Sequence, residues 1–434
     1  MKGRDMRSRE LTRRDVLRFS AASAVSAALA ACATAPSKSA GRVVVIGGGF
    51  GGATAAKYLR LWSEGTIYVT LVEPNRQFVS CPISNLVLGG SKSLADITFG
   101  YNGLRKHGVT VVHDSVIAID AERREVRLAG GVTVAYDRLV VSPGIELMFD
   151  QVRGMSEAAA EQIPHAWKAG PQTALLRRQL VALPDGGVVL IAVPAAPYRC
   201  PPGPYERTCQ IAHYLKTKKS RSKVLVLDAN PAVTSKGPLF TRVWKEDYAG
   251  IVEYRPNAAV AEVDVKDRAF VLDLGERIRG DVLNLIPPMR AAAIARQAGL
   301  ITANDRWCEV DWTTLESTAV KHVHVLGDAT LSAPGMPKSG HMANQHGKAA
   351  AAAIIDLLAG RAPLPSTMTN TCYSFIDDRH AIHVASVHRY VPAKKTLEPV
   401  VGAGGVSAAS REGWAQESVF AWNWAQTTWA DMLA

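Results

Sequence analysis

The sequence lacks several features that assign proteins to whole classes. It has no apolar run long enough to cross a bilayer, so no transmembrane helix is predicted for the mature chain. Only 6 of the 434 residues are cysteine and none lies in a C-x-x-C-H motif, so this chain is not expected to attach a c-type haem. The net charge of +11 forms no dense basic stripe interleaved with aromatics, which argues against nucleic-acid binding. No metal site is predicted.

Length and composition indicate a folded protein of more than one domain. Hydrophobic residues make up 47% of the chain and charged residues 21%, as in soluble globular proteins, so neither a disordered nor a repeat architecture is indicated. A chain of 434 residues is too long for one ordinary hydrophobic core. We therefore expect two or three domains.

Residues 1–35 are predicted to be a targeting segment. Arg13 and Arg14 lie in a Thr-Arg-Arg-Asp-Val-Leu run that is typical of a twin-arginine signal, and a short apolar stretch follows. Cys32 ends a Leu-Ala-Ala-Cys run that resembles a lipoprotein processing site, where it would carry a lipid anchor. Cleavage by an ordinary signal peptidase close to Cys32 is an equal alternative. In both cases we expect the mature protein in the periplasm.

A glycine-rich turn follows the first apolar strand and precedes a helix. The turn is Gly-Gly-Gly-Phe-Gly-Gly, and Gly47, Gly49 and Gly52 fit the spacing G-x-G-x-x-G. A second apolar strand ends at Glu73, where a carboxylate can accept hydrogen bonds from an adenosine ribose. A turn without side chains lets backbone amides approach a pyrophosphate. The order of strand, glycines, helix, strand and acid predicts a dinucleotide site.

A later strand returns towards the same site. The run Lys-His-Val-His-Val-Leu ends in Gly327 and Asp328, and in flavoproteins with two dinucleotide domains such a strand places its Asp near the ribityl and phosphate groups. That similarity favours FAD over NAD as the bound dinucleotide. A plain helix cap is the alternative for Asp328.

The alternation of strands and helices predicts an α/β fold with two Rossmann-like units. The second unit lacks the glycine fingerprint, because prolines fill the loop from Pro194 to Pro202, and prolines remove the amide donors that a pyrophosphate requires. No NAD site is therefore expected there. We predict an FAD-binding region at 41–150 and a second Rossmann-like domain at 151–288. The chain then returns to the FAD domain at 289–361 and ends in a C-terminal region at 362–434.

Three cysteines lie at positions that suit a redox role or contact with the cofactor. Cys200 is in the loop that replaces the missing phosphate turn, at the carboxyl edge of a parallel sheet, where ligands bind. For Cys200 and Cys372, a structural disulfide and a redox role are both open from the residues alone. Cys81 follows Glu73 by eight residues, so a thiol there could reach the ring end of an extended FAD. Cys209 and Cys308 are predicted to be buried apolar residues.

Several segments together resemble one family, the flavoprotein subunit of flavocytochrome c sulfide dehydrogenase. They run from about residue 41 to the C-terminus: GGGFGGATAAKYLR, EPNRQFVSCPISNLVLGG, APYRCPPGPYER, LNLIPP, MPKSG and NTCYS. The resemblance implies a glutathione reductase-like fold with a C-terminal interface domain that covers the flavin. It also implies sulfide as the substrate and a separate c-type cytochrome subunit as the partner.

The resemblance further implies the site residues. FAD would be attached through a thioether to Cys81, and Cys200 and Cys372 would form a redox disulfide over the flavin. Glu206 would be the carboxylate beside that disulfide, acting as a proton acceptor, although a first-turn helix acid is an equal interpretation. Lys338, in the MPKSG segment, is assigned to cofactor binding.

Alternative functions stay open at this point. Sulfide:quinone oxidoreductase shares the flavin and cysteine chemistry, and a non-catalytic flavoprotein of a sulfur-oxidising complex is a second alternative. The aromatic C-terminal stretch, which includes Trp414, Trp424 and Trp429, has no Lys or Arg after Arg411. Because membrane-surface helices usually carry a basic face, core packing, flavin coverage or a cytochrome interface is the favoured interpretation of this stretch.

Overall fold

The computed structural model describes residues 40–434. The predicted targeting segment, with Arg13, Arg14 and Cys32, lies outside the described residues. Two parallel sheets organise the described chain. Their strands are rich in Val, Ile and Leu and are buried, as expected for sheets covered on both faces.

The first sheet carries the glycine-rich turn. Its five strands are all parallel and lie side by side in the order Val323–Val325, Arg138–Val141, Gly41–Ile46, Ile67–Val72 and Thr110–Val112. The strand Val323–Val325 therefore returns to the sheet of the first unit, as the sequence predicts. Gly327 and Asp328 consequently lie at the same sheet edge as the glycine turn.

The second sheet has four parallel strands, in the order Val252–Arg255, Lys223–Asp228, Val188–Val193 and Val282–Leu285. The predicted loop of prolines follows the strand Val188–Val193. The two units confirm the predicted α/β class with two Rossmann-type sheets.

The helices connect and cover these sheets. Their bounds are Phe50–Trp62, Ser84–Gly89, Asn102–Lys106, Glu157–Ala160, Pro171–Ala182, Gly203–Lys218, Gly237–Glu246, Ala293–Gln297, Gly340–Leu358 and Trp414–Leu433. Short 3₁₀ segments occur at Ala95–Ile97, Phe149–Gln151, Gly327–Ala329, Pro392–Lys394 and Arg411–Gly413.

Smaller antiparallel sheets complete the fold. Two of them have three strands each: Val116–Asp120, Glu125–Leu128 and Thr133–Ala135, and then Val260–Asp264, Ala269–Leu272 and Arg277–Arg279. Two pairs are Gln77–Val79 with Thr98–Gly100, and Ile145–Leu147 with Met289–Ala291. The C-terminal sheet contains Met368–Phe375, Ala381–Val391, Thr396–Pro399 and Gly405–Val406.

One predicted helix begins earlier than expected. The sequence indicates a helix from Gly347 to Leu358, whereas the structure begins it at Gly340. The Ser339 hydroxyl accepts a hydrogen bond from Met342 N at 3.0 Å and so caps the helix two turns before the alanine-rich part. The extra turns bring the MPKSG segment to the glycine-rich turn.

The C-terminal helix, Trp414–Leu433, packs on the first Rossmann unit. Lys57 Nζ donates to Ala430 O at 3.1 Å, and Asp431 accepts hydrogen bonds from Tyr58 and Asn344. Trp414 and Trp429 are buried, which confirms core packing for this part of the aromatic stretch. Among residues 40–434, no helix combines the length and apolar character that a bilayer crossing needs.

Candidate active site at the glycine turn

The three fingerprint glycines have three different physical roles. Gly47 has a φ of +94°, and a Cβ there would lie 2.3 Å from Ser142 O. A Cβ on Gly52 would lie 1.9 Å from Gly47 O, whereas a Cβ on Gly49 would meet no atom within 4 Å. Gly47 and Gly52 are therefore required by the turn itself. Gly49 leaves open the space that a pyrophosphate would occupy.

This difference between the glycines can be tested with matched substitutions. Gly52→Ala forces a backbone clash in the turn, so we expect little folded protein, whereas Gly49→Ala should fold normally. Gly49→Ala should instead bind FAD about tenfold or more weakly, because its methyl group occupies the approach to the phosphates. Circular dichroism and titration of flavin-free protein with FAD measure the two effects. Equal folding and equal FAD affinity for both variants would contradict these roles.

Glu73 lies against the glycine turn. Its Oε2 accepts a hydrogen bond from Gly48 N at 2.8 Å, and its Oε1 accepts from the backbone and side-chain nitrogens of Asn75. The carboxylate is buried at the end of its strand. Its predicted contact with ribose hydroxyls stays a prediction, supported by this placement.

A cavity leads from the glycine turn to the cysteines. Its lining includes Gly49, Cys81, Cys200, Glu206, Gly327, Asp328 and Cys372. The fold thus collects in one place seven of the residues that the sequence analysis selected. Gly47, Gly52 and Glu73 shape the turn at its end and are outside the lining.

Asp328 shows that the cavity suits a hydrogen-bond donor. Its Oδ1 is buried and has no hydrogen-bond partner among the described residues. Burial raises the pKa of this carboxyl, although the charges of Arg199 and Lys338 oppose the shift. An unpaired buried oxygen is costly unless a ligand satisfies it. Hydroxyl groups of a ribityl chain are donors of the required kind, so these residues fit FAD.

The side chain of Lys338 binds protein groups outside the cavity lining, and its role in cofactor binding stays a prediction. Its ammonium group donates to the backbone oxygens of Thr330 and Asp328 and lies 3.8 Å from the centre of the Trp307 ring. It is not among the residues that line the cavity. The lysine side chain instead braces the loop after Asp328, because buried carbonyls next to it need a donor. Only its backbone reaches the site, where Lys338 O accepts a hydrogen bond from Cys200 N at 2.8 Å.

Cys200 and Cys372 both line the cavity, and each belongs to a different element of the fold. Cys200 is in the proline-rich loop with a φ of +57°, and Cys372 lies on the strand Met368–Phe375. None of the five described cysteines forms a disulfide, so both are thiols in this structure. The pairing of Cys200 with Cys372 therefore stays a prediction. Burial raises the pKa of each thiol, and the neighbouring charge of Cys372 raises that of Cys200 further.

Glu206 is buried beside the two cysteines. It lies in the first turn of the helix Gly203–Lys218, where its Oε1 accepts from Phe375 N at 2.8 Å and its Oε2 from Asn85 Nδ2 at 2.7 Å. Burial raises the pKa of its carboxyl, although both hydrogen bonds oppose the shift. A raised pKa suits a group that exchanges protons near neutral pH. A solvated helix acid would have none of these contacts.

Cys81 lies at the same cavity, in the loop after the strand Gln77–Val79. Its sulfur accepts a hydrogen bond from Ala169 N at 3.5 Å. Arg199, which the sequence analysis did not select, also lines this part of the cavity and donates to Trp167 O. Burial lowers the pKa of Arg199, but the charges of Cys81, Asp328 and Cys200 outweigh burial and raise it. The guanidinium is therefore a fixed positive charge at the centre of the site.

The second Rossmann unit fills its own sheet edge with protein groups. Asp228 ends a strand as Glu73 does in the first unit, but Tyr205 and Tyr254 donate to its Oδ2 at 2.8 and 2.9 Å. The Tyr198 hydroxyl lies 2.8 Å from that of Thr234 in the same network. A carboxylate that already accepts hydrogen bonds from two tyrosine hydroxyls is not free to bind a ribose.

The other two cysteines of the described residues do not line the cavity. Cys209 and Cys308 are both completely buried, as predicted. Trp244 Nε1 lies 3.3 Å from the sulfur of Cys209. Trp424, in contrast with the buried Trp414 and Trp429, lines the cavity, which supports flavin coverage for that part of the C-terminal helix.

Three family models cover most of the described chain. The model for the sulfide dehydrogenase (flavocytochrome c) flavoprotein chain, central, matches residues 173–287, and the model for flavocytochrome c sulphide dehydrogenase, flavin-binding, matches residues 365–433. A pyridine nucleotide-disulphide oxidoreductase model matches residues 41–182.

Two individual proteins that are similar to this chain have sulfide oxidation in their names. The sulfide dehydrogenase (flavocytochrome c) flavoprotein chain of Chlorobaculum thiosulfatiphilum is 65% identical over 46 residues, which are 11% of this chain and 94% of that sequence. The mitochondrial sulfide:quinone oxidoreductase of Dictyostelium discoideum is 27% identical over 297 residues, 67% of this chain and 65% of that protein. The chain thus spans about two thirds of that longer relative.

The fold is similar to that of a solved sulfide:quinone oxidoreductase. The crystal structure of sulfide:quinone oxidoreductase from Aquifex aeolicus superposes with a TM-score of 0.72 and 18% identity, covering 90% of this chain and 91% of that one. At this identity the match concerns the fold alone. The two family models for this flavoprotein and the relative that is 65% identical show that the chain belongs to the family of the flavoprotein chain of flavocytochrome c sulfide dehydrogenase.

Proposed function

We propose that the protein oxidises sulfide through a redox pair formed by Cys200 and Cys372, and passes the electrons by way of FAD to a c-type cytochrome. The observation that carries this proposal is the meeting of three distant cysteines and a buried carboxylate at one cavity that begins at a dinucleotide turn. When bound, FAD accepts two electrons together and releases them one at a time, which a haem acceptor requires.

The cysteine pair supplies the sulfur chemistry. Hydrosulfide attacks one sulfur of the disulfide, so that a new S–S bond forms, the old one breaks and the negative charge moves to the other cysteine. A second hydrosulfide removes the outer sulfur of the persulfide as HSS⁻ and leaves one thiol and one thiolate. The loss of two electrons and one proton then restores the disulfide. In sum, two HS⁻ give HSS⁻, one proton and two electrons.

The burial of Glu206 at the cavity beside the cysteines supports it as the acceptor of that proton. Glu206→Gln should slow the reduction of the flavin by sulfide about 100-fold at neutral pH, since general acid–base groups contribute at least this factor. Only the ionised carboxylate accepts a proton, so the ratio of the wild-type rate to the variant rate should fall towards one as the pH drops through the pKa of Glu206. Stopped-flow absorbance over a pH series measures the ratio.

The ratio of the two rates removes the effect of sulfide ionisation, and a matched control variant shows whether the pH dependence is specific to Glu206. Hydrosulfide titrates equally for every variant and cancels in the ratio. Glu316→Gln changes a partly buried carboxylate that pairs with Arg138 outside the cavity, so its ratio should stay flat with pH. A flat ratio for Glu206→Gln as well would contradict a proton-accepting role.

A cytochrome is the electron acceptor that fits this chain best. Prolines occupy the place of a second phosphate turn, and tyrosine hydroxyls occupy Asp228, which supports the absence of a nicotinamide site. The chain has no C-x-x-C-H motif, so the haem belongs to a separate c-type cytochrome subunit. The names of the family models support this partner.

Quinone reduction is the second candidate, favoured by the similarity to mitochondrial sulfide:quinone oxidoreductases. Purified protein mixed anaerobically with sulfide and then with either cytochrome c or a soluble quinone distinguishes the two. Fast oxidation of the flavin by the cytochrome supports the proposal, and oxidation by quinone alone favours the second candidate. Flavin that sulfide leaves oxidised would indicate a non-catalytic accessory protein.

We also propose a covalent flavin and periplasmic export. Cys81 lies at the cavity, which supports attachment of FAD through its sulfur. Arg13 and Arg14 support twin-arginine export, with processing either at Cys32, which adds a lipid, or at a nearby alanine. Intact-mass measurement of the exported protein reports the flavin adduct, the N-terminus and the lipid together. A mass without flavin, or an uncleaved N-terminus, would contradict the corresponding proposal.

A further inference from the structure

One buried lysine near the cysteine pair has no role in the chemistry described so far. Lys236 precedes the helix Gly237–Glu246, and only 6% of its surface is exposed. Its ammonium group donates to Ser374 Oγ at 2.7 Å, to Cys372 O at 3.0 Å and to Ile382 O at 3.4 Å. All three acceptors are neutral. In the described part of the chain, no carboxylate forms an ion pair with this lysine.

The register of the strand places this cation on the face that carries Cys372. Side chains at alternate positions of a strand point to the same face, so Asn370, Cys372 and Ser374 share one side of Met368–Phe375. Asn370 Nδ2 donates to Cys372 Sγ at 3.3 Å on one flank. Lys236 contacts Ser374 on the other flank. The sulfur of Cys372 therefore lies between an amide donor and a buried cation.

A buried ammonium without a directly paired anion is unfavourable, and reduction of the cysteine pair supplies a negative charge close to it. The pKa of Lys236 is lowered to about 8 by burial, whereas the charges of Cys372, Glu206, Cys200 and Glu417 act in the opposite direction. These four groups have the largest charge effects on the lysine. A disulfide carries no charge, so the lysine gains its strongest partner only when the pair opens to a thiolate.

We propose that Lys236 is a positioning residue that holds the negative charge on Cys372 when the cysteine pair opens. The inference rests on the proposed function. It has a consequence for the order of events. Hydrosulfide attacks the sulfur of Cys200, the S–S bond to Cys372 breaks, and the charge of the nucleophile ends on Cys372 beside the ammonium group. The persulfide therefore forms on Cys200.

The test measures the ionisation of Cys372 in FAD-loaded protein that a phosphine has fully reduced. The rate of alkylation of the Cys372 peptide by iodoacetamide is followed by mass spectrometry over a pH series. Lys236→Met should raise the midpoint by about one pH unit or more, leaving about tenfold less thiolate at neutral pH. Lys236→Arg, which retains the charge, should restore most of the thiolate.

Two further variants make the result decisive. Lys218→Met removes an exposed lysine at the end of another helix and should leave the midpoint unchanged. Ser374→Ala removes a hydroxyl that orients Nζ and should raise the midpoint by a smaller amount, which tests the inference even if Lys236→Met folds poorly. An unchanged midpoint in Ser374→Ala, together with either an unchanged midpoint or poor folding of Lys236→Met, would overturn the proposal.

The outcome is separable from the proposed function because alkylation needs no sulfide. If the midpoint shifts while sulfide fails to reduce the wild-type flavin, the lysine acts as inferred and the proposed substrate is wrong. If sulfide reduces the flavin and the midpoint does not shift, the substrate stands and the role of Lys236 is overturned.

Discussion

A Cys200→Ser variant is expected to bind FAD normally and to leave it oxidised in the presence of sulfide. Serine cannot form the disulfide that hydrosulfide attacks, and its hydroxyl is no substitute for a thiol leaving group. The glycine turn, Glu73 and Asp328 belong to the other unit, so flavin binding should persist. We expect flavin reduction to fall at least about 1,000-fold, since residues that act as a unit lose nearly all activity together.

Two further variants show whether the loss of flavin reduction is specific to the cysteine pair. Cys308→Ala removes a completely buried thiol outside the cavity and should reduce its flavin at close to the wild-type rate. The double variant Cys200→Ser with Cys372→Ser should be no slower than either single variant, because each alone already removes the pair. Normal reduction of Cys200→Ser by sulfide would show that the cysteines are structural.

A Cys81→Ala variant is expected to contain FAD that acid precipitation separates completely from the polypeptide. The alanine leaves the cavity and its glycine turn intact but removes the sulfur that we propose as the attachment point. In the wild-type protein, acid should carry all of the flavin into the pellet with the polypeptide. Absorbance of supernatant and pellet, and flavin fluorescence after denaturing electrophoresis, measure the difference.

The same Cys308→Ala variant serves as the control for attachment. It has lost one buried thiol that does not line the cavity and should keep its flavin in the pellet. Flavin that remains with the polypeptide of Cys81→Ala would refute the thioether to Cys81. Free flavin from the wild-type protein would show that this chain binds FAD without a covalent bond.

The local parts of this site could be predicted from sequence because they depend on neighbouring residues. The glycine turn between a strand and a helix is fixed by three positions within six residues, and the structure shows why two of them admit no side chain. The proline-rich loop is equally local, and it follows its strand as expected.

The meeting of Cys200 with Cys372 could not be derived from spacing. The two are joined by the packing of the helix Gly203–Lys218 against the strand Met368–Phe375, where Phe375 N donates to Glu206. Only the family resemblance placed them together. The contacts of the Lys338 side chain could not be predicted for a similar reason, because a motif gives a position along the chain but not the direction of a side chain; its role in cofactor binding stays a prediction.

The sequence indicated neither Arg199 nor Lys236 as a site residue, for two different reasons. Arg199 stands next to Cys200, so its neighbourhood was a usable signal. Lys236 is 136 residues from the Cys372 carbonyl that it contacts, and no local pattern distinguishes it from a surface lysine. Its burial follows from the tertiary fold alone.

Rapid quenching after one equivalent of sulfide tests the redox cysteine pair most directly. Anaerobic FAD-loaded protein is mixed with sulfide, stopped at intervals with an alkylating acid quench, and digested for mass spectrometry, while flavin absorbance is followed in parallel. Transfer of electrons through the pair predicts a peptide of Cys200 that carries one added sulfur atom no later than the flavin bleaches. Bleaching of the flavin with no sulfur added to Cys200 or Cys372 at any time point before or during the bleaching would contradict it.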